Sequence, residues 1–133
     1  MKKIYLCGPI KDLSLTEASE WRNNAKKAFE NLFIYLDPMR RDFRDDEFDS
    51  RNEIVQLDKA DIINADVLLV NATKPSWGTA MEIMFANKHH KIIIAFTGDE
   101  TKNASPWLVY HSTRLFKTMN EAINYIFEQI GGE

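Results

Sequence analysis

The sequence predicts a single doubly wound α/β domain, with about five short parallel strands flanked by helices. Three observations predict it. Short β-branched or aromatic runs alternate with longer stretches of helical period, the pattern of βαβ units. The 133 residues, 44% hydrophobic and 28% charged, suit one core and leave no room for two full domains. The run Val67 to Val70 is continuously apolar, as a strand covered on both faces requires.

The elements follow in order. Lys3 to Cys7 reads as the first strand, stopped by Gly8-Pro9. A helix is expected over roughly residues 16–32, with Ala18, Trp21, Ala25, Ala28, Phe29 and Leu32 on one face. Phe33 to Asp37 is the second strand, ended by Pro38, and a highly charged loop runs from Met39 to Ser50. Arg51 to Asn64 should be helical, placing Ile54, Leu57, Asp58, Asp61 and Ile62 close together. The third strand is Val67 to Asn71, and a helix is expected near residues 79–88. Lys91 to Thr97 makes the fourth strand, and Pro106 suits the first turn of a short helix over 107–112. Arg114 to Lys117 is a small fifth strand. The helix from Thr118 to Ile130 points Ala122, Ile123, Ile126, Phe127 and Ile130 inward and ends at Gly131-Gly132. Right-handed crossovers make the flavodoxin-like, Rossmann-type order 2-1-3-4-5 the simplest topology, with ligands at the carboxyl ends of the strands.

Composition excludes several functions. Seventeen Lys and Arg against twenty Asp and Glu give a net charge of -3, so there is no basic field to hold a nucleic acid. The longest apolar runs are far shorter than the roughly 20 residues that cross a bilayer. The lone cysteine, Cys7, and the absence of an apolar export segment after Met1 lead us to expect a reducing cytoplasm. His89 and His90 are adjacent and His111 is distant, a poor metal set, and no Walker loop, dinucleotide glycine triplet or nucleophile elbow occurs. No metal and no cofactor is expected.

The chemistry concentrates at the strand ends. The segment from Lys74 through Ser76, Gly78 and Thr79 to Glu82 opens a helix after the third strand, where free amides favour anions and a glycine permits close approach. Glu82, expected in the first turn, could attack an electrophilic carbon. Thr79 and Glu82 equally fit a capping box, as do Ser14/Glu17, Ser50/Glu53 and Thr118/Glu121. Only the box at Glu82 follows a buried strand through a glycine turn. Asp58 lies between Ile54 and Ile62 on its helix, where partial shielding would raise its proton affinity and suit it to protonate a leaving group. A surface aspartate is the competing reading. Asp61 is expected to be solvated and Asp66 to cap the strand junction.

Ile4-Tyr5-Leu6-Cys7-Gly8-Pro9, Asp58 eight residues before Asp66, and Gly78-Thr79-Ala80-Met81-Glu82-Ile83 followed by Ala86 together resemble the nucleoside 2-deoxyribosyltransferases and their relatives, the 2'-deoxynucleoside 5'-monophosphate N-glycosidases. The resemblance spans nearly the whole chain, residues 1–133. It implies that Glu82 is the nucleophile at the anomeric carbon, that Asp58 assists departure of the base, and that Tyr5 positions Glu82 and the sugar. Cys7, Gly8, Pro9 and Ile10, with Gly78 and Thr79, are expected to line the substrate pocket, and Met39 or Arg40 to touch the base. Two carboxyl groups in a retaining transfer sit roughly 5 Å apart, one forming the sugar ester and one handling the proton. Transferases of this kind typically carry an aspartate six residues before the nucleophile, for the sugar's 5'-hydroxyl. Ser76 stands there, and a hydroxyl can bind a phosphate without charge repulsion. Lys11, Lys74, Arg40, Arg41 and Arg44 could add positive charge, although the arginines are interleaved with acids and could simply pair among themselves. The family is usually dimeric or larger. That implies a homodimer or larger homo-oligomer in which Ser105 contacts phosphate across the interface and Trp107 and Tyr110 sit at its centre. The longer tail of the transferases is not expected here. The favoured substrate is a small deoxynucleotide, with base exchange on deoxynucleosides or non-catalytic nucleotide sensing as alternatives.

Overall fold

The computed structural model describes residues 1–131. Five strands, β1 (Lys3–Cys7), β2 (Ile34–Leu36), β3 (Val67–Asn71), β4 (Ile92–Phe96) and β5 (Arg114–Phe116), form one all-parallel sheet in the order β2-β1-β3-β4-β5. Strand alternation sends the two halves of the hydrophobic set to opposite faces. Ile4, Leu6, Val67, Leu69, Ile94 and Phe96 pack under helices α1 (Leu15–Phe29) and α5 (Met119–Gln129), through Ala25, Phe29, Ala122, Ile123 and Ile126. Tyr5, Cys7, Leu68, Val70, Ile93 and Ala95 face Ile62 of α2 (Arg51–Asn64) and Ile83 and Ala86 of α3 (Trp77–Lys88), with Leu108 of α4 (Pro106–His111) packed alongside. Each fully covered Leu or Ile contributes on the order of 1.5–3 kcal/mol.

The register places Tyr5 beside Leu36 and Leu68, so β1 and β3 end together where the strand order reverses. That crevice is the site a doubly wound sheet offers a ligand.

Several element ends differ from the sequence expectation. Helix α1 stops at Phe29, where Glu30 takes a left-handed φ of 52°, so Leu32 falls beyond it and is exposed, and Ala28, still within the helix, faces solvent rather than inward. Helix α3 starts two residues early, because Ser76 is its N-cap and accepts from the Thr79 amide. Glu82 therefore sits in the second turn, not the first, and makes no capping box. The boxes at Ser14/Glu17 and Thr118/Glu121 form in full. Ser50 instead donates its hydroxyl to Asp46 and makes no side-chain cap. Gly131 closes α5 by bonding the Ile126 carbonyl, while Gly132 lies outside the described residues. No helix among the described residues is long and apolar enough to cross a membrane.

Candidate active site

Tyr5 and Cys7, two apart on β1, project from the same face toward α3. Both meet Glu82. The Tyr5 hydroxyl donates to Glu82 Oε2 at 2.7 Å, and the Cys7 thiol donates to Oε1 at 3.2 Å. Each carboxyl oxygen thus has its own donor, which fixes the rotamer of Glu82. Tyr5 and Cys7 are fully buried. Cys7, expected in the pocket lining, is instead buried with its thiol on the Glu82 carboxyl. Burial pushes both the phenol and the thiol well above their usual ranges, with the Glu82 charge adding to the effect, so both stay protonated as donors.

Burial, and next the charge of Asp58, push the Glu82 carboxyl up to about 8, against the opposing hydrogen bonds from Tyr5 and Cys7. Asp58 on α2 is likewise raised, chiefly by burial, while Glu82 and Arg41 pull it back. The pair thus keeps a proton through the neutral range, up to about 8. Asp58 is therefore the shielded acid of the two readings. Asp61, expected in solvent, is buried one turn further along α2, where Arg40 and Arg41 each bond it at 2.8 Å and hold it below its ordinary range despite its burial.

A cavity of about 220 Å³ opens over this pair. Gly8, Ile10, Met39, Ser76, Gly78, Thr79, Asp58 and Glu82 all line it. Pro9 is buried and Arg40 is turned away onto Asp61 and the Asp37 carbonyl, and neither lines the cavity. Arg41 takes the place expected for Arg40, because the 3-10 turn Pro38–Arg40 swings the next residue inward. Arg44 pairs with Asp42 at the cavity rim, and Lys11 reaches Glu47 at 3.6 Å. Ser105 and Lys74 belong instead to a groove of about 830 Å³ between α3 and α4, where Ser105 caps α4. Among the described residues, no three His, Cys, Asp or Glu cluster as metal ligands.

A family model for nucleoside 2-deoxyribosyltransferases matches residues 4–129. The chain belongs to that family. No curated protein matches its sequence. The fold of a 2-deoxyribosyltransferase from Leishmania mexicana superposes with a TM-score of 0.71 at 19% identity, covering 98% of this chain and 99% of that one. The enzyme from Bacillus psychrosaccharolyticus gives 0.72 at 20% identity, covering 95% and 93%. The CMP N-glycosidase of Clostridium botulinum gives 0.64 at 19% identity, covering 97% and 100%. The sheet found here is thus the fold of the nucleoside 2-deoxyribosyltransferase family.

This deoxyribosyltransferase-family chain has one supporting group absent from the sequence reading. Arg22 of α1 is fully buried and spans the end of β1, donating to the carbonyls of Leu6 (3.2 Å), Gly8 (2.9 Å) and Ala18, with Asp37 at 3.7 Å. It fixes the backbone from which Tyr5 and Cys7 point. The available signal was a cation lying inside the apolar stripe of α1, four after Ala18 and three before Ala25.

Proposed function

We propose that this protein cleaves the bond between base and 2-deoxyribose in 2'-deoxynucleoside 5'-monophosphates. With the proton of the pair passed from Glu82 to Asp58, the Glu82 carboxylate attacks C1', the C1'–N bond breaks with its electron pair leaving on the base, and Asp58 gives the proton to that base. Water then attacks C1' of the glycosyl ester, Asp58 takes the water's proton, and Glu82 departs as carboxylate. The observation that carries this reading is the grip of Tyr5 and Cys7 on Glu82 in a cavity whose wall holds a second carboxyl, Asp58. Glu82 is not a structural peg for its own helix.

Support for a phosphorylated substrate comes from the rest of the cavity wall. Ser76 and the first turn of α3 border the cavity with the cations Lys11 and Arg44, each paired with an acid of the same wall (Glu47 and Asp42), and no acid stands six residues before Glu82. The buried Thr79 hydroxyl has no partner among the described residues and borders the same cavity. The reading extends to a homodimer or larger homo-oligomer. Trp77 and Trp107 line the α3–α4 groove and are largely exposed, as are Met81 and Tyr110 on the same two helices, and Ser105, outside the wall of its own cavity, would serve a phosphate held by a neighbouring copy.

The test is incubation with the four deoxynucleosides and their monophosphates, with and without a second free base, followed by chromatography. Base release from monophosphates alone is expected. Product that requires an acceptor base would make the protein a transferase, and binding without conversion would make it a sensor.

A further inference from the structure

Arg41 is held in the cavity wall by one nitrogen. Its Nη2 donates to Asp61 Oδ2 at 2.8 Å and to Asp58 Oδ1 at 3.3 Å. Among the described residues nothing engages its Nε or Nη1. Arg40 by contrast uses both terminal nitrogens, and Arg44 spends Nε and Nη2 on Asp42. Arg41 is thus a guanidinium of fixed orientation with donors to spare, next to the acid and remote in sequence from the amides that open α3. Met39, Phe43 and Ile54 supply apolar wall around it.

We propose that Arg41 selects the nucleobase, favouring bases that carry a carbonyl oxygen beside a protonatable ring nitrogen. This rests on the reaction proposed above, in which Asp58 hands its proton to the leaving base. In guanine the proton goes from Asp58 to N7 as the C1'–N9 bond breaks, and the neighbouring O6 accepts from Arg41. In cytosine the proton goes to N3 as the C1'–N1 bond breaks, and O2 accepts. The electron pair of the broken bond stays on the base in both cases. Adenine sets the amino donor N6 against a guanidinium that can only donate, and thymine carries hydrogen on N3, so neither offers the pair. A site built to donate to a carbonyl rejects an analogue that lacks one, because its own donor is left without a partner.

The experiment compares kcat/KM for base release from dGMP against dAMP and from dCMP against dTMP, in the wild type and in Arg41→Gln. Wild-type ratios of about ten- to a hundredfold in favour of guanine and cytosine are expected, the discrimination of one matched guanidinium–base contact. Arg41→Gln should collapse the dGMP-to-dAMP ratio, since an amide can also accept from N6, and leave the dCMP-to-dTMP ratio in place, since thymine offers the same O2 and is rejected at its N3 hydrogen. Its loss of the charge beside Asp58 changes all four rates by a common factor, which cancels in the ratio. Level or reversed wild-type ratios overturn the proposal, as does a variant that lowers all four rates equally. If no nucleotide loses its base, the proposed reaction fails. The dGMP-to-dAMP ratio, read as dissociation constants by calorimetry in the wild type and in Arg41→Gln, then still decides the role of Arg41.

Discussion

Tyr5 and Glu82 stand 77 positions apart in sequence, and the phenol of the first donates a 2.7 Å hydrogen bond to the carboxyl of the second. The contact crosses from a central strand to the helix after its neighbour. It converts a helix-surface glutamate into a group with one available orientation and a defined donor on each oxygen.

Removing these donors should slow the reaction in proportion to their strength. Tyr5→Phe deletes a bond to an ionisable group, worth about 1.5–3 kcal/mol, so kcat should fall about ten- to a hundredfold with little change in KM. Cys7→Ala deletes a weaker thiol donor and should cost only severalfold. Glu82→Ala should lower turnover by more than about a thousandfold. Steady-state kinetics on a monophosphate substrate separate the three, and activity that survives in Glu82→Ala would refute the nucleophile.

The shared proton predicts a bell-shaped dependence of kcat/KM on pH. Turnover needs one proton on the pair, with Glu82 ionised and Asp58 protonated. Acid adds a second proton and alkali removes the last, so the alkaline limb should fall near 8, where Glu82 is placed. Asp58→Asn removes the acid and the charge that raises Glu82. The residual rate should be low and should rise to a plateau at lower pH, with no alkaline limb.

The strand order and both strand ends that form the crevice were legible in the sequence, because alternation and apolar runs are local signals. Glu82, Asp58 and Tyr5 came together in the sequence through the family resemblance, since Thr79 and Glu82 equally fit a capping box and Asp58 a surface acid. Arg41 was not separable from Arg40 and Arg44, since which arginine turns inward depends on a three-residue 3-10 turn rather than on composition. Asp61 read as solvated because its neutralising partners lie 20 and 21 residues earlier, on a loop with no periodicity. Arg22 was hidden because its partners are backbone carbonyls, which every sequence contains. The start of α3 was misplaced by choosing between two hydroxyl residues three apart, a choice that only the backbone at Ser76 decides.

Two glycines of the site should respond in opposite ways. A Cβ on Gly8 would fall 2.6 Å from the Trp21 ring and 3.2 Å from Asn71 Cβ, so Gly8→Ala should lower stability by about 1–3 kcal/mol. A Cβ on Gly78 meets nothing within 4 Å, and Gly78 lies in the first turn of α3. Gly78→Ala should leave the thermal midpoint unchanged or slightly raised. Any rise in KM for monophosphates in that variant would then report a clash with substrate. Thermal melts and KM values measured together check both.

The oligomer can be tested by complementation. Trp107→Asp should yield smaller particles in sedimentation without loss of fold, since Trp107 is exposed within the chain. Glu82→Ala subunits retain Ser105, and Ser105→Ala subunits retain Glu82. Mixed and allowed to exchange, they should regain a lower KM for monophosphates than Ser105→Ala alone. A wild-type monomer, or a mixture no better than its parts, would confine Ser105 to capping α4.

Glu82 should also make stability fall with pH. Its carboxyl is raised in the folded state from about 4.5 to about 8, so the fold binds that proton more tightly than the unfolded chain does. The associated stability is complete below about 4.5 and is lost as pH rises through 8, because ionising Glu82 beside Asp58 places charge where water is scarce. Glu82→Gln removes the ionisation but keeps the shape. At pH 7 it should be more stable than the wild type by on the order of 2–3 kcal/mol, with the difference vanishing near pH 4. Urea melts across that range decide it. A gain independent of pH would mean that packing, and not the proton, separates the two proteins.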